Sequence, residues 1–362
     1  MKGCPLLITL LLTALVSCSG QPPQVDPAQT AAAPALGQVV SEVDSSIWYI
    51  LQTDDSDYWF GSSQNGLYRY RGARLTHYST DDGLPSNHIR GIQQDSAGNL
   101  FITTLEGISL FDGASFTTLS VVPDGTWQLE AGDLWFSILG EAGGNGVYRY
   151  DGARLHHLTF PKHPREDTFR AEFPDAAFSP YEVYSIYRDR DGNLWFGTSN
   201  LGVCRFDGRD LSWLYEDQLT NTPEGGSFGI RSIFQDSRGD FWFNNTHYRY
   251  RVAPTYTPRE GSKLIDYQRK EGMGSLMTEG ETNYPYYFSM VEDRNGKLWM
   301  ATYDRGVLQY DGAALTQYLL TGGQPSLSSF TVYLDKADTL WIGTQHGGVY
   351  RFIGGAMTKA AL

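Results

Sequence analysis

Cysteine is scarce, with three residues in a chain of 362. Cys4 and Cys18 fall in or beside an N-terminal apolar segment, which leaves Cys204 alone, so no intramolecular disulfide can staple the body of the chain. Positive charge is also short: 28 Lys and Arg stand against 41 Asp and Glu, for a net charge of −13. A phosphate-binding face needs clustered basic residues, so nucleic acid is not expected as a partner. The apolar run over residues 6–16 is too short to span a bilayer. There is no Gly-x-Ser-x-Gly elbow, His-Glu-x-x-His pair, Walker loop or strand-borne Gly-x-Gly-x-x-Gly. The usual sequence grounds for a serine hydrolase, a zinc protease, an NTPase or a dinucleotide enzyme are therefore missing.

What the chain has in quantity is aromatic residues and repetition. Aromatics make up 14%, with 23 Tyr, 18 Phe and 9 Trp. A unit recurs about seven times after Ile47, with its Trp position at Trp59, Phe101, Trp135, Trp195, Trp242, Trp299 and Trp341. Each unit reads as an apolar strand, an Asp-x-x-Gly turn, a strand such as Leu194-Trp195-Phe196-Gly197-Thr198, a strand such as Val147-Tyr148-Arg149-Tyr150, and a short closing strand. Period-two alternation with β-branched and aromatic residues marks half-buried strands. Four short strands in roughly 40–45 residues make a propeller blade. The expected fold is all-β, a seven-bladed β-propeller of four-stranded antiparallel blades, with the rings packed between blades.

The turns support this. Asp112-Gly113, Asp151-Gly152, Asp207-Gly208 and Asp311-Gly312 separate third from fourth strands, and Asp-Gly favours a two-residue hairpin in which both positions take positive φ. The turn at Asp189-Arg190-Asp191-Gly192 resembles the opening of a calcium loop, but Asn200 stands where the twelfth-position Glu should be. Its relatives at Asp95, Asp236 and Asp293 carry no ligand set, so the turn is expected to be structural. Cys204 occupies the place of Tyr68 and Tyr148 in other repeats and is expected to be buried and inert. For ring closure, residues 355–359 can supply the fourth strand of the last blade, and residues 36–40 could compete for that edge. The C-terminal strand is preferred, and either would cover an exposed edge.

Residues 1–17 read as a signal peptide, with Lys2 before the apolar run and Leu15-Val16-Ser17-Cys18 at its end. This end resembles a bacterial lipobox, which implies lipidation at Cys18. Ser19 after the cysteine, by the same resemblance, favours the periplasmic face of the outer membrane. Residues 18–37, with Pro22, Pro23, Pro27 and Pro34, read as a tether, and residues 38–362 as the propeller. The membrane would be touched through the anchor alone, and a monomer is expected.

The stretches from Leu84-Pro85-Ser86-Asn87 through Asp95 and Gly98, from Asp189 to Thr198, from Asp293 to Thr302 and from Asp335 to Thr344 resemble the two-component regulator propeller repeat. The likeness covers most of residues 46–358, with a degenerate third unit that keeps Asp133-Leu134-Trp135-Phe136 but has a shortened first strand. It implies a sensor-type propeller that binds a glycan, a peptide or an envelope protein, without catalysis and without a cofactor.

Departures from the minimal unit gather on one face, at residues 138–145, 160–180, 215–228 and 268–285; residues 251–262 alone project toward the other. Long loops on a rigid scaffold are where binding is commonly carried. Candidate ligand-binding residues on the elaborated face are Asn87, His88, Tyr181, His247, Tyr286, Tyr303, Arg305 and His346. Two other readings stay open. A metal-assisted lyase or hydrolase, by resemblance to the streptogramin-type lyases, would need His88, His247 and His346 to meet over the channel with Asp304 around a divalent cation. A protein–protein scaffold would need a broad, flat apolar face.

Overall fold

The computed structural model describes residues 36–139, 146–216, 219, 228–259, 262–273, 285–320 and 327–362. The signal peptide, Cys18, most of the tether and parts of the loops at 138–145, 215–228 and 268–285 lie outside the described residues. The folded unit begins at Leu36, two residues before the expected boundary, with the Gly37 N–H donated to Asp82 at 2.7 Å.

Six hydrogen-bonded sheets form, and the eight-stranded one is two blades joined edge to edge where Trp213 pairs in parallel with Leu264. Seven blades result, and their first strands pack against one another around the axis. Ile47–Gln52 of blade one touches both Ile89–Gln94 of blade two and Ser329–Leu334 of blade seven, which closes the ring. Ala356–Lys359 pairs with Val349–Ile353 and completes blade seven, as preferred from the sequence. Gln38–Val40 takes a different edge: it adds a fifth, outermost strand to blade one beside Arg74–Tyr78.

The recurring motif residues have recurring jobs. In blade four the Asp189 carboxylate accepts the N–H groups of Asp191 and Asn193, the Asn193 amide and, at 2.8 Å, the Trp195 indole N–H. The same Asp-to-indole bond joins Asp236 to Trp242, Asp293 to Trp299 and Asp335 to Trp341. The calcium-like turn is thus a clamp on the blade's Trp. The Thr of Gly-Thr closes the next loop, with Thr198, Thr302 and Thr344 each donating to a carbonyl four residues on. The Gly before it is a close approach: a Cβ on Gly197 would lie 2.4 Å from the Ile230 carbonyl of blade five, and on Gly343 2.4 Å from the Ile47 carbonyl of blade one.

The core lies between blades. Trp59, Leu67 and Tyr78 of blade one pack with Ile89, Leu100 and Phe111 of blade two, and Trp299 of blade six packs with Val332, Leu340 and Ile342 of blade seven. Each such ring buries about 150–250 Å², an upper bound of about 4–6 kcal/mol of transfer free energy. Cys204 is fully buried among Trp135, Phe196 and Trp213, and burial raises its thiol pKa well above the ordinary value.

Three local expectations are corrected. Positive φ at the Asp-Gly turns is confined to the glycines, and the Asp112 N–H bonds the Ser115 carbonyl, so Gly113 and Ala114 are the central pair of a type II′-like turn. Asp112 stands just before it and accepts the N–H groups of Ala114 and Ser115. Paired positive φ occurs instead at Gly72-Ala73 and Gly354-Gly355.

Residues 251–262 are not a separate insertion but an extension of the hairpin Tyr248–Arg259 and Ser262–Glu271 in blade five. Its outer arms lean on blade four, where the Arg205 guanidinium donates to the carbonyls of Ala253 and Pro254, and Tyr256 and Lys263 hold Asp210. The third correction is blade three, whose first strand is not short but absent from the sheet. Its order is Val121–Val122, Leu155–Thr159, Gly146–Tyr150, Leu134–Phe136, so the chain enters on the outer edge and in parallel. The inner edge of Leu134–Phe136 is left facing the axis, and Gln93 of blade two donates to the Trp135 carbonyl there at 2.8 Å.

Candidate functional site

A bulge recurs near the start of the first strands. The register slips between Ile47 and Tyr49, Ile89 and Gly91, Val183 and Ser185, Tyr287 and Ser289, and Ser329 and Thr331. The residue skipped in each case is Trp48, Arg90, Tyr184, Phe288 or Phe330. Arg231 holds the equivalent place in Ile230-Arg231-Ser232-Ile233 of blade five. A bulge removes a residue from the ladder and re-aims its side chain. All six of these positions are aromatic or arginine, and all six line one cavity of about 560 Å³ at the axis. Trp135, Phe136, Ser137 and Leu139 line it as well, at the place where blade three omits its inner strand. The missing strand makes the room.

The six side chains form a connected belt. Trp48 and Phe330 stack at 4.3 Å and 5°, and Phe330 and Phe288 at 4.4 Å and 13°. Phe228 continues the series beside Phe288 at 5.4 Å. Arg90 lies 5.0 Å from the Trp48 ring centroid, and Arg231 4.4 Å from that of Tyr184 and 5.5 Å from that of Phe228. Among the described residues neither Arg90 nor Arg231 has a carboxylate within ion-pair distance. Burial lowers the Arg90 pKa without threatening its charge. Burial raises the Tyr49 pKa, while Arg90 and Arg231 both pull it back, so both cations act on that hydroxyl. Tyr184 is likewise raised by burial, with Glu182 adding to the rise and Arg231 opposing it. Glu182 accepts from the Tyr184 hydroxyl at 3.3 Å. At neutral pH the Tyr49 and Tyr184 hydroxyls therefore keep their protons, in a lining that also holds Arg90, Arg231 and Glu182.

None of the residues named from the sequence lines this cavity. Tyr286 stacks beside Phe228 at 4.9 Å, and Tyr303, 57% exposed, meets Phe288 edge-on at 6.3 Å, so these two extend the belt outward. Asn87 is taken up by a turn, its side chain accepting the Thr80 N–H and its carbonyl the Gly66 N–H. His88 is exposed and bonded to Ser86, His247 stacks on Tyr248, and His346 is exposed in a second-to-third-strand loop. Arg305 sits in the corresponding loop of blade six, its N–H donated to Thr302.

Tyr181 needs correcting as a ligand contact. It is 2% exposed in the core, its hydroxyl donating to Glu166 and accepting the His163 N–H. Among the described residues no three His, Cys, Asp or Glu side chains gather closely enough to hold a metal ion, so His88, His247, His346 and Asp304 do not form the constellation that the lyase reading requires. The cavity residues were overlooked because each sits inside an apolar first strand and reads as core. The available signal was an arginine at two of six equivalent places.

Residues 83–106, 177–200 and 280–304 match the family described as two-component regulator propeller. A search of curated protein sequences finds no significant match. Among solved structures the fold is similar to an extracellular domain ascribed to a hybrid two-component system of B. thetaiotaomicron, with a TM-score of 0.57 and 20% identity. The alignment covers 86% of this chain but 39% of that domain, so the chain spans about two fifths of its relative. A second such domain from the same organism gives a TM-score of 0.54 at 17% identity, over 88% and 40%. Virginiamycin B lyase of Staphylococcus aureus gives 0.61 at 13% identity, over 87% of this chain and 97% of the enzyme. At these identities the likeness is one of fold. Among the described residues no helix is long and apolar enough to cross a membrane. The chain is a β-propeller that carries the two-component regulator propeller repeat.

Proposed function

We propose that this chain is the ligand-binding propeller of an envelope sensor or partner-binding system, held to a membrane by a lipid on Cys18, and that its ligand enters the axial cavity. One observation carries the reading: Trp48, Arg90, Tyr184, Phe288 and Phe330, each at a bulge, and Arg231 at the equivalent place in blade five, all line a 560 Å³ space. A structural ring would be served by any apolar side chains, whereas arginines with no carboxylate partner among the described residues, beside an open cavity, are what a polar ligand uses. A glycan or a short peptide fits the volume, and an envelope protein could engage the same mouth through one inserted side chain.

The test is thermal unfolding of the full chain with saccharides, peptides and divalent metals, beside Ser289→Trp, which fills the cavity. A ligand at a hundredfold over its Kd should raise the Tm by roughly 4 °C. Loss of that rise in the filled variant supports the site, provided its own Tm shows that it folds. A rise retained in Ser289→Trp moves binding elsewhere on the surface.

A further inference from the structure

We infer that the cavity takes a hydroxylated organic anion, a sugar acid, with the carboxylate held between Arg90 and Arg231. This rests on the cavity being the binding site. The stacked rings argue against the usual way aromatics hold a neutral sugar, which is face to face. One face of Trp48 is covered by Phe330 and the other by Arg90, and Phe330 lies between Trp48 and Phe288. Phe288 has Phe330 on one side and Phe228 beside it at 38°. What these rings offer the cavity is their edges, and the edge is the electropositive part of an aromatic quadrupole.

The two guanidinium groups sit in the same lining, steadied by stacking and free of carboxylates among the described residues. The Arg231 Nε is committed to the Phe228 carbonyl at 3.1 Å, which turns its terminal nitrogens to other partners. Edges and guanidinium groups together make an electropositive mouth on a chain of net charge −13. A planar carboxylate matches a guanidinium fork.

Glu182, the one carboxylate of the lining among the described residues, can accept hydrogen bonds from the hydroxyl groups of a ligand. The Tyr49 hydroxyl, in the same lining, is a donor for the same ligand. The cavity volume is in the range that small organic ligands occupy.

The experiment is calorimetric titration of the full chain with the galacturonate disaccharide, its methyl ester and inorganic sulfate, at low and moderate salt. The acid should bind at least tenfold tighter than the ester and weaken with salt. Arg90→Gln and Arg231→Gln should each lose tenfold or more, Arg90→Lys should keep part of the affinity, and Arg74→Gln, on the outer turn of blade one, should change nothing. Equal binding of acid and ester overturns the anion inference and leaves the cavity as a binding site. Binding of sulfate with the same arginine dependence but not of the acid overturns the sugar acid as the ligand. No response to any of the three overturns the inference, and a wild-type chain that also fails the broad ligand panel overturns the site itself.

Discussion

Blades four and three are built from the same unit and differ in where an aspartate stands. In blade four Asp189 precedes Trp195 by six residues, shapes the turn and holds the indole. In blade three Asp133 precedes Trp135 by two, and its carboxylate is taken by Arg149 at 2.6 and 3.1 Å. The Trp135 indole N–H has no hydrogen-bond partner among the described residues. In blade three no inner strand pairs with Leu134–Phe136, whereas blade one, where Asp57 is likewise taken by Arg69, keeps its inner strand Ile47–Gln52. Trp127 fills part of the deficit by packing against Trp135, Phe160, Phe196 and Phe206, and Val121–Val122 covers the outer edge. The irregular blade is thus stabilised from outside, and the space it gives up at the axis becomes the cavity. A repeat can lose one strand at the functional end when the others are held by different contacts.

The sharpest way to break this comparison is to remove the substitute contact. Arg149 and Asp133 are 6% and 8% exposed, so Asp133→Ala leaves a buried guanidinium without its partner. The expected loss is about 3–5 kcal/mol, read by urea unfolding. Asp133→Ala with Arg149→Met should recover most of it. A single-variant loss under about 1 kcal/mol would mean that blade three does not depend on this pair.

Blade two offers a control for the clamp in the regular blades. Asp95 makes the same bonds as Asp189, to Ala97 N–H, Asn99 N–H and the Asn99 amide, but meets Phe101 where blade four has Trp195. Asp189→Ala should therefore cost about 1.5–3 kcal/mol more than Asp95→Ala, the worth of one charge-assisted hydrogen bond. Equal losses would show that the indole bond contributes nothing measurable.

A smaller effect should appear with pH at the junction of blades three and four. His163 is buried against Trp213, and burial, with Arg165 adding, pushes its pKa down to about 4 from an ordinary value near 6.5. The folded state then holds the ring neutral where the unfolded chain protonates it. The contribution is intact above about pH 6.5, falls as the pH drops from about 6.5 to about 4, and is flat below. The full loss is on the order of 3 kcal/mol. Unfolding free energies at pH 7 and 4.5 should differ less in His163→Gln than in wild type; an unchanged difference would assign the acid sensitivity to other groups.

Much of the fold was legible because propeller blades are local. The Trp positions, the Asp-x-x-Gly turns and the Gly-Thr pairs act within a few residues of themselves or on the adjacent blade, so their spacing carries the architecture. The C-terminal closing strand was legible for the same reason, since residues 355–359 repeat a hairpin already seen in earlier units. Less of the site was legible. Polar loop residues such as His88 and His346 stand out in the sequence, yet both are exposed and neither lines the cavity. Tyr181, chosen as a contact, is held in the core by His163 and Glu166. Trp48, Phe288 and Phe330 looked like core because they lie within apolar strands.

By itself the sequence determined the repeat, the all-β class, the blade count, the burial of Cys204 and the structural nature of the Asp189 turn, because each depends on hydrogen bonds and packing across short spans of chain. Tertiary structure alone decided that blade three lacks its inner strand, that Gln38–Val40 lies on blade one, and that six side chains from six blades meet at the axis. The bulge that marks five of them is a mismatch of register between two strands. Their meeting depends on the closure of a ring more than 280 residues around, and neither leaves a mark in local sequence.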